Sequence, residues 1–515
     1  MKVGGVLKNI EDYLFWRLAH FFIYDKEYRI IQLSQNQKEL WLEKRENKHA
    51  QIIRLLRHDL DWSNWMQQDI ERTAANGEGI RKQITRSELN VYNIYVSAYP
   101  PVDDYEFRIE QPYVHPVSKK TNVMSTIIDN TTYQQKIHQL TALFGSPMEI
   151  SDESLGNVEE MEQLRKEALT TAVHREKKER ALFDFGKPLF TYIFMAAQIL
   201  MFIVLEIFGG STSSATLIKF GAKFNPLILE GEWWRFITPM FLHIGFAHLA
   251  MNTLALFYVG TAVERIFGRL RFLFIYIIAG FGGTLASFIF SPNISAGASG
   301  AIFGCFGALL YFGMIYPKLF FRTMGLNIFI VLAINLAFGY TVPGIDNAGH
   351  IGGLIGGFLA TGIVHFPKKK KLVLQSMFLG ITLLASSLLI QYGFTHPEAV
   401  LDETSILMMS QEYMEEADYD KAYKMLSEVK EEEGLSAQYY FLLSYTEIKL
   451  GKLNDAEDSL LKAIELEPSF HEAHYNLALI YLEHGEVEKA KEQASKAVEL
   501  DPDNKEYSNL LNQIK

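Results

Sequence analysis

Gly297-Ala298-Ser299-Gly300-Ala301-Ile302-Phe303-Gly304-Cys305-Phe306-Gly307-Ala308-Leu309-Leu310-Tyr311-Phe312 puts a lone serine at the mouth of an apolar run. Two readings of that serine compete. Gly, Ala and Ser are the ordinary interface residues of membrane bundles, so the stretch can be packing alone. Gly-x-Ser-Gly can also frame a nucleophile, but the pattern by itself is weak. The rest of the chain has to decide between them.

Working outward, the run is one of seven long enough to be read as membrane spans, which take about 20 residues each. They are Leu189–Phe208, Thr238–Gly260, Phe272–Phe290, Ser299–Tyr316, about Leu326–Tyr340, about Ala348–Phe366 and Leu372–Phe394. The expected fold is therefore a polytopic α-helical membrane bundle flanked by soluble domains. Lys and Arg in short loops set orientation. Arg175 to Arg180 precedes the first span; Arg265, Arg269 and Arg271 follow the second; Lys318 and Arg322 follow the fourth; Lys368 to Lys371 follow the sixth. Every second loop is basic, so those loops and the N-terminal domain are expected in the cytoplasm. The loop Gly209 to Ile237 and the C-terminal domain are expected outside a cell membrane that the chain crosses several times.

The 515 residues carry a net charge of −11, unevenly spread. Residues 397–515 hold 27 acidic and 11 basic residues, more than the whole excess. No basic surface suited to nucleic acid is in view. The single cysteine, Cys305, excludes an internal disulfide, and its apolar neighbours suggest a buried, inert thiol. The first apolar patch, Tyr13 to Ile23, is broken by Arg17 and His20, so no secretory signal peptide is expected.

Residues 1–150 read as a soluble α/β domain. Asn9 to Phe22 has helical spacing, Tyr28 to Leu33 is a short strand, and Lys38 to about Trp65 reads as a charged helix. Val91 to Tyr99 alternates as a strand does and stops at Pro100-Pro101. His58, Asp59 and Asp61, with His49 nearby, are candidate divalent-cation ligands. Spacing that loose is also common on a solvated helix face, so no metal is assigned. Residues 151–188 are a charged helical connector, and 189–366 hold the first six spans. Residues 367–395 are a basic loop and the seventh span.

Residues 396–515 contain a repeat. Leu435–Pro468 and Ser469–Pro502 superpose at a 34-residue period, with Gly451 on Gly485, Ala456 on Ala490 and Ala463 on Ala497. The period resembles tetratricopeptide repeats, and a degenerate earlier copy is expected from about Glu403, with Ala422 one period before Ala456. Such helix pairs stack into a concave surface for a peptide or protein partner.

Polar groups inside membrane spans are costly and so are functional candidates. Three stand out: His243, His248 and Asn252 on the second span, Ser299 on the fourth, and His350 in Asp346-Asn347-Ala348-Gly349-His350 on the sixth. His248 and Asn252, four apart, share a helix face. His243 and His248, five apart, do not, which argues against zinc. All three spans run the same way, and all three groups fall near their outer ends. Gly300, Gly304 and Ala308 form one small-residue stripe and Gly349, Gly353 and Gly357 another, which would let the fourth and sixth spans approach closely. His350 can then take the Ser299 proton for attack on an amide and return it to the leaving amine. The free amides at the start of the fourth span, with Asn252 and His248, can stabilise the oxyanion. Asp346 is read as a helix cap, so a Ser–His dyad is expected and not a triad. Trp233 and Trp234 are expected as interfacial aromatics. Glu264 and Arg265 are expected to satisfy each other or nearby backbone. No cofactor is expected.

These residues resemble the rhomboid intramembrane serine proteases. The shared features are Trp234-Arg235, His243-x4-His248-x3-Asn252, Glu264-x3-Gly268, Gly297-x-Ser299-Gly300 and Ala348-Gly349-His350. They cover Leu189 to Phe366. The seventh span, the N-terminal domain and the repeats resemble one bacterial type within that family. The resemblance implies Ser299 as nucleophile and His350 as base, with His248, Asn252 and the Ser299 amide as the oxyanion hole. It implies structural roles for Trp234, Arg235, Glu264 and Gly268; His243, Gly297 and Gly300 are expected as structural support. It also implies transmembrane proteins as substrates, cut within or beside a helix. Three other readings compete. An inactive relative acting as a scaffold would lack Ser299 or His350, and both are present. A transporter would show a repeated half across the spans, and none is visible. An adaptor role for the tail would add to proteolysis and not replace it.

Overall fold

The computed structural model describes residues 3–514 apart from 85–86, 146, 149, 152–153, 156, 343 and 428–433. The chain divides into one unit ending at Leu182 and another beginning at Phe183. The opening of the expected connector, residues 152, 153 and 156, and the end of the first repeat lie outside the described residues.

The first unit is a three-layer α/β sandwich. Helix α1 (Val3–His20) leads to β1 (Arg29–Leu33), β2 (Glu39–Glu43) and β3 (Ile52–Arg57). Helix α2 (Ser63–Ile84) precedes β4 (Leu89–Val96), β5 (Tyr113–Val114) and β6 (Thr121–Ile128); α3 (Tyr133–Phe144) and α4 (Val158–Phe183) follow. The sheet order is β1-β2-β3-β4-β6-β5. Its centre, β3-β4-β6, is parallel, and both edges are antiparallel. A parallel core must be covered on both faces. Leu14, Leu18 and Phe22 cover Ile53, Leu55 and Ile94 on one side, while Met66, Ile70 and Ala74 cover Ile52, Val91 and Val123 on the other.

The expected helix from Lys38 to Trp65 is therefore wrong. The stretch holds two strands and only the first residues of α2. Its charges misled because they do not mark a solvated face. Arg54, inside β3, is buried, and its guanidinium reaches Glu39 at 2.7 Å and Asp69 at 2.5 and 3.2 Å. A buried charge is tolerated when it is paired and hydrogen-bonded in this way.

The second unit opens with α5 (Phe190–Ile207), α6 (Gly245–Phe267) and α7 (Arg269–Phe290). Next come α8 (Ser299–Ile315), α9 (Gly325–Thr341), α10 (Asn347–Val364) and α11 (Leu372–Thr395). By length and composition five of these can cross a membrane: α5, α6, α7, α10 and α11. Helix α9 adds a sixth if it is joined to the short helix Pro317–Thr323, from which it bends by 70°. Helix α8 has 17 residues, 12 of them buried, so protein and not lipid surrounds it and its length need not match the bilayer.

The second span differs from expectation. Its helix begins at Gly245, about seven residues later than Thr238, and runs on to Phe267. Pro239 starts a 3-10 turn over Thr238–Phe241, and Gly245 has φ +75, so the chain turns before the helix can form. His243 therefore lies in the entry loop and not on the helix.

The repeats are helix pairs: α12 (Glu403–Glu415) with α13 (Tyr419–Ser427), α14 (Ala437–Lys449) with α15 (Leu453–Leu466), and α16 (His471–Glu483) with α17 (Val487–Leu500). Helix α18 (Lys505–Ile514) closes the array. Ala456, Leu460, Ala463, Ala473 and Leu477 form the core of the last two pairs. Gly451 and Gly485 make equivalent turns at φ +75 and +76, and Ala417 occupies that position in the first pair at φ +60.

Candidate active site

Ser299 is the first residue of α8, half-buried. The loop that delivers it is tied at successive residues. Ser295 exchanges both backbone hydrogen bonds with Lys223, at 2.9 and 3.0 Å. The Gly297 amide donates to the Pro239 carbonyl at 2.9 Å, and the Ala298 amide faces Nε2 of His243 at 3.4 Å. Gly297 has φ +151, and a Cβ there would come within 2.8 Å of His248 Cε1, 3.0 Å of His248 Nε2 and 3.8 Å of Ser299 Oγ. His248 and the serine hydroxyl thus both face the space that a side chain at Gly297 would occupy. The first amides of α8 point outward without helical partners, as at any helix start.

His350 stands in the first turn of α10. Asp346 caps that helix, its carboxylate accepting from the Gly349 amide at 2.8 Å. The His350 ring lies flat on Phe303, with centroids 4.3 Å apart and planes 6° from parallel. Phe303 is four residues after Ser299, so the ring that supports His350 shares a face of α8 with the serine hydroxyl. Sequence reasoning missed Phe303; its i+4 spacing from Ser299 was the available signal. His350 Nδ1 is buried, with no hydrogen-bond partner among the described residues.

Glycines bring the two helices together. A Cβ on Gly300 would come within 3.2 Å of the Gly349 carbonyl oxygen, and one on Gly353 would overlap the Gly300 carbonyl. A Cβ on Gly304 would come within 3.0 Å of the Gly353 carbonyl oxygen, and one on Gly357 would overlap the Gly304 backbone in turn. The third contact is Gly307 against Leu354 and Phe358, one residue before the expected Ala308. Helix α7 joins through Gly283, which would meet the Gly349 carbonyl at 2.8 Å. A small cavity at the serine is lined by residues that include Gly283, Thr284, Gly297, Ser299, Asp346 and Gly349.

The other candidates fall around this centre. His248 and Asn252 share a face of α6, and Asn252 is buried. His243 is fully buried, edge-on to His248 at 5.3 Å. Arg235 is buried and donates to the carbonyls of Ile218 (2.7 Å) and Ala222 (2.8 Å), pairing also with Glu232. Trp234 is exposed, and Trp233 stacks on Phe394 of α11. Glu264 is fully buried, yet Arg265 is not its partner. Its carboxylate takes the amides of Leu189, Phe190 and Thr191 at 2.8–2.9 Å, capping α5. Gly268 has φ +84, with Phe185 packed where a side chain would go. Cys305 is buried.

The metal candidates do not converge. Asp59 faces Arg57 at 3.3 Å, and His58 stacks on Trp65. Among the described residues no three His, Cys, Asp or Glu side chains could hold an ion together.

The description "Rhomboid domain" matches residues 230–367, and "Tetratricopeptide repeat" matches 447–514. The rhomboid protease GluP of Bacillus subtilis is 40% identical over 92% of this chain and 92% of its own length. The putative rhomboid protease YdcA of the same organism is 35% identical over 29% of this chain and 75% of its own. The rhomboid protease AarA of Providencia stuartii is 32% identical over 45% of this chain and 92% of its own.

Proposed function

The chain belongs to the rhomboid family of multi-pass intramembrane serine proteases, and from that premise we propose that Ser299 and His350 are its catalytic dyad. The observation that carries this reading is the His350 ring seated on Phe303, one turn along the helix that Ser299 begins. His350 accepts the hydroxyl proton as Ser299 Oγ attacks the carbonyl carbon of the substrate peptide bond. The negative charge that develops on the carbonyl oxygen is met by the Ser299 amide, the Asn252 side chain and His248. One such donor is worth about 3–4 kcal/mol of transition-state stabilisation. His350 then protonates the leaving amine, and the C–N bond breaks to leave an acyl-enzyme on Ser299. Water, deprotonated by His350, releases the acid and restores the serine. The orphan Nδ1 of His350 and the capping role of Asp346 favour a dyad over a triad.

The substrates are transmembrane helices of membrane proteins, and the repeats bind a peptide or protein partner. The basic loops keep the N-terminal domain in the cytoplasm, and the loop 209–237 and the repeats outside. Packing of α12 against that loop supports a shared side for the two.

The test compares the full chain with Ser299→Ala and His350→Ala on a single-span reporter substrate in liposomes. Wild type cuts and neither variant does. Cleavage that survives Ser299→Ala overturns the mechanism. Added protease on intact cells should trim the repeats and spare the N-terminal domain.

A further inference from the structure

The first repeat is not a free module at the end of a tether. Met409 and Tyr413 of α12 and Ala422 of α13 are buried in one apolar cluster with Ile218 and Phe224 of the loop between α5 and α6. Tyr413 also donates its hydroxyl to Glu230, and Asn225 reaches the Val400 carbonyl just before α12. The end repeat of an array must have its outer face covered or polar. Here that face is apolar, and the protease covers it. This accounts for the degenerate sequence of the first copy, whose Met409, Tyr413 and Met425 answer to the protease loop as well as to their own pair.

The same cluster reaches toward Ser299. Ile294, in the loop that delivers the serine, packs against it, and also against a second cluster holding Leu205, Leu217 and Ala296. Its neighbour Ser295 is held by the backbone of Lys223, which directly precedes the buried Phe224. The Lys223 side chain is fully buried, and its ammonium donates to the carbonyls of Ser291 and, at 2.9 Å, Asn293. The loop is thus tied at Ser291, Asn293 and Ser295 by Lys223, and at Ile294 it packs against the cluster to which α12 contributes Met409 and Tyr413. Burial lowers the Lys223 amine to about 7, and the charges of Asp346 and Asp402 oppose that shift. Asp402 is the residue that caps α12, accepting from the Ser405 amide at 3.0 Å.

We propose that the first repeat is a positioning element of the protease: its docking through Met409 and Tyr413 fixes the loop 291–298, and through it the placement of Ser299. A partner on the remaining repeats would then sit on a support continuous with the active site. This rests on the reading of Ser299 as nucleophile.

The experiment uses the full chain in liposomes with the double substitution Met409→Asp/Tyr413→Ala. It places an unpaired carboxylate in the buried cluster and removes the tie to Glu230, so the repeat must leave the surface. Two quantities are read: the rate at which a small fluorophosphonate labels the serine, and kcat and KM for the single-span reporter. The expected result is a drop of tenfold or more in labelling rate and kcat, with KM within twofold. Met409→Leu should stay near wild type, and Lys223→Met should reproduce the kcat loss from the other side of the loop. A repeat that only gathers substrate would raise KM and leave labelling unchanged, which overturns the proposal. Equal labelling and equal kcat in the double variant also overturn it. Wild type that is not labelled, or Ser299→Ala that still cuts, would instead sink the assignment of the nucleophile.

Discussion

Helices α8 and α10 meet through glycines, whereas the repeat helices meet through alanines and leucines. In the first case carbonyl oxygens and Cα atoms of one helix occupy the space where side chains of the other would stand. In the second, Leu460, Ala463, Ala473 and Leu477 fill an ordinary side-chain core. The contrast teaches what each region is built to hold. Backbone-to-backbone contact leaves almost no freedom in the separation of two helices, which is what the proposed proton transfer between Ser299 and His350 requires. Side-chain packing tolerates adjustment, which suits helix pairs that recur with varied sequence.

Breaking the first kind of contact should have the largest effect. Gly353→Leu would drive a side chain into the Gly300 carbonyl and separate α8 from α10. A misplacement of about 1 Å can cost about 100-fold, so cleavage of the reporter should fall by at least that much. Leu477→Ala makes the matching test in the repeats. It should destabilise them by about 2–5 kcal/mol, read from denaturant unfolding of the repeat helices, while fluorophosphonate labelling stays at the wild-type rate. If labelling fell equally in both variants, the distinction between the two kinds of packing would be lost.

Smaller changes sharpen it. Phe303→Leu keeps the close helix approach but removes the ring beneath His350. An aromatic pair is worth about 0.5–1.5 kcal/mol beyond its area, so kcat should drop by about 3–10-fold with no loss of folding. Ala417→Gly relieves the left-handed turn that the later copies make with glycine. The first repeat should gain about 1 kcal/mol, seen as a higher midpoint of unfolding. Asp346→Asn keeps a capping oxygen for the Gly349 amide. If Asp346 serves as a cap and not as a triad member, as we propose, activity should stay within about threefold, against the loss of about 10,000-fold seen when a triad acid is made neutral.

Much of the candidate site's placement is legible in the sequence because it is local. Ser299 at a helix start, His248 four before Asn252, and His350 in a glycine stripe are patterns of spacing, and spacing is set by the helix. The boundaries were less legible where tertiary contacts overrode it. The mostly apolar stretch from Thr238 to Gly260 suggests a helix that includes His243, but Pro239 and Gly245 turn the chain first. The stretch from Lys38 to Trp65 was read as helix because its charges looked solvated. Arg54 is instead buried on a central strand, and nothing within six residues of it predicts Asp69 as its partner.

By itself the sequence determined the presence of an apolar helical region between two polar ones, the repeat period and the residue types at the candidate site. Each of these follows from hydropathy and helical periodicity, which act over a few turns. Only the tertiary structure decided that Glu264 caps α5, that Phe303 carries the His350 ring, and that Met409 and Tyr413 of the first repeat share a core with Ile218 and Phe224 of the loop between α5 and α6. Those pairings join residues from 47 to nearly 200 positions apart. They depend on which surfaces are left to be buried once each helix has formed, and a one-dimensional pattern does not record that.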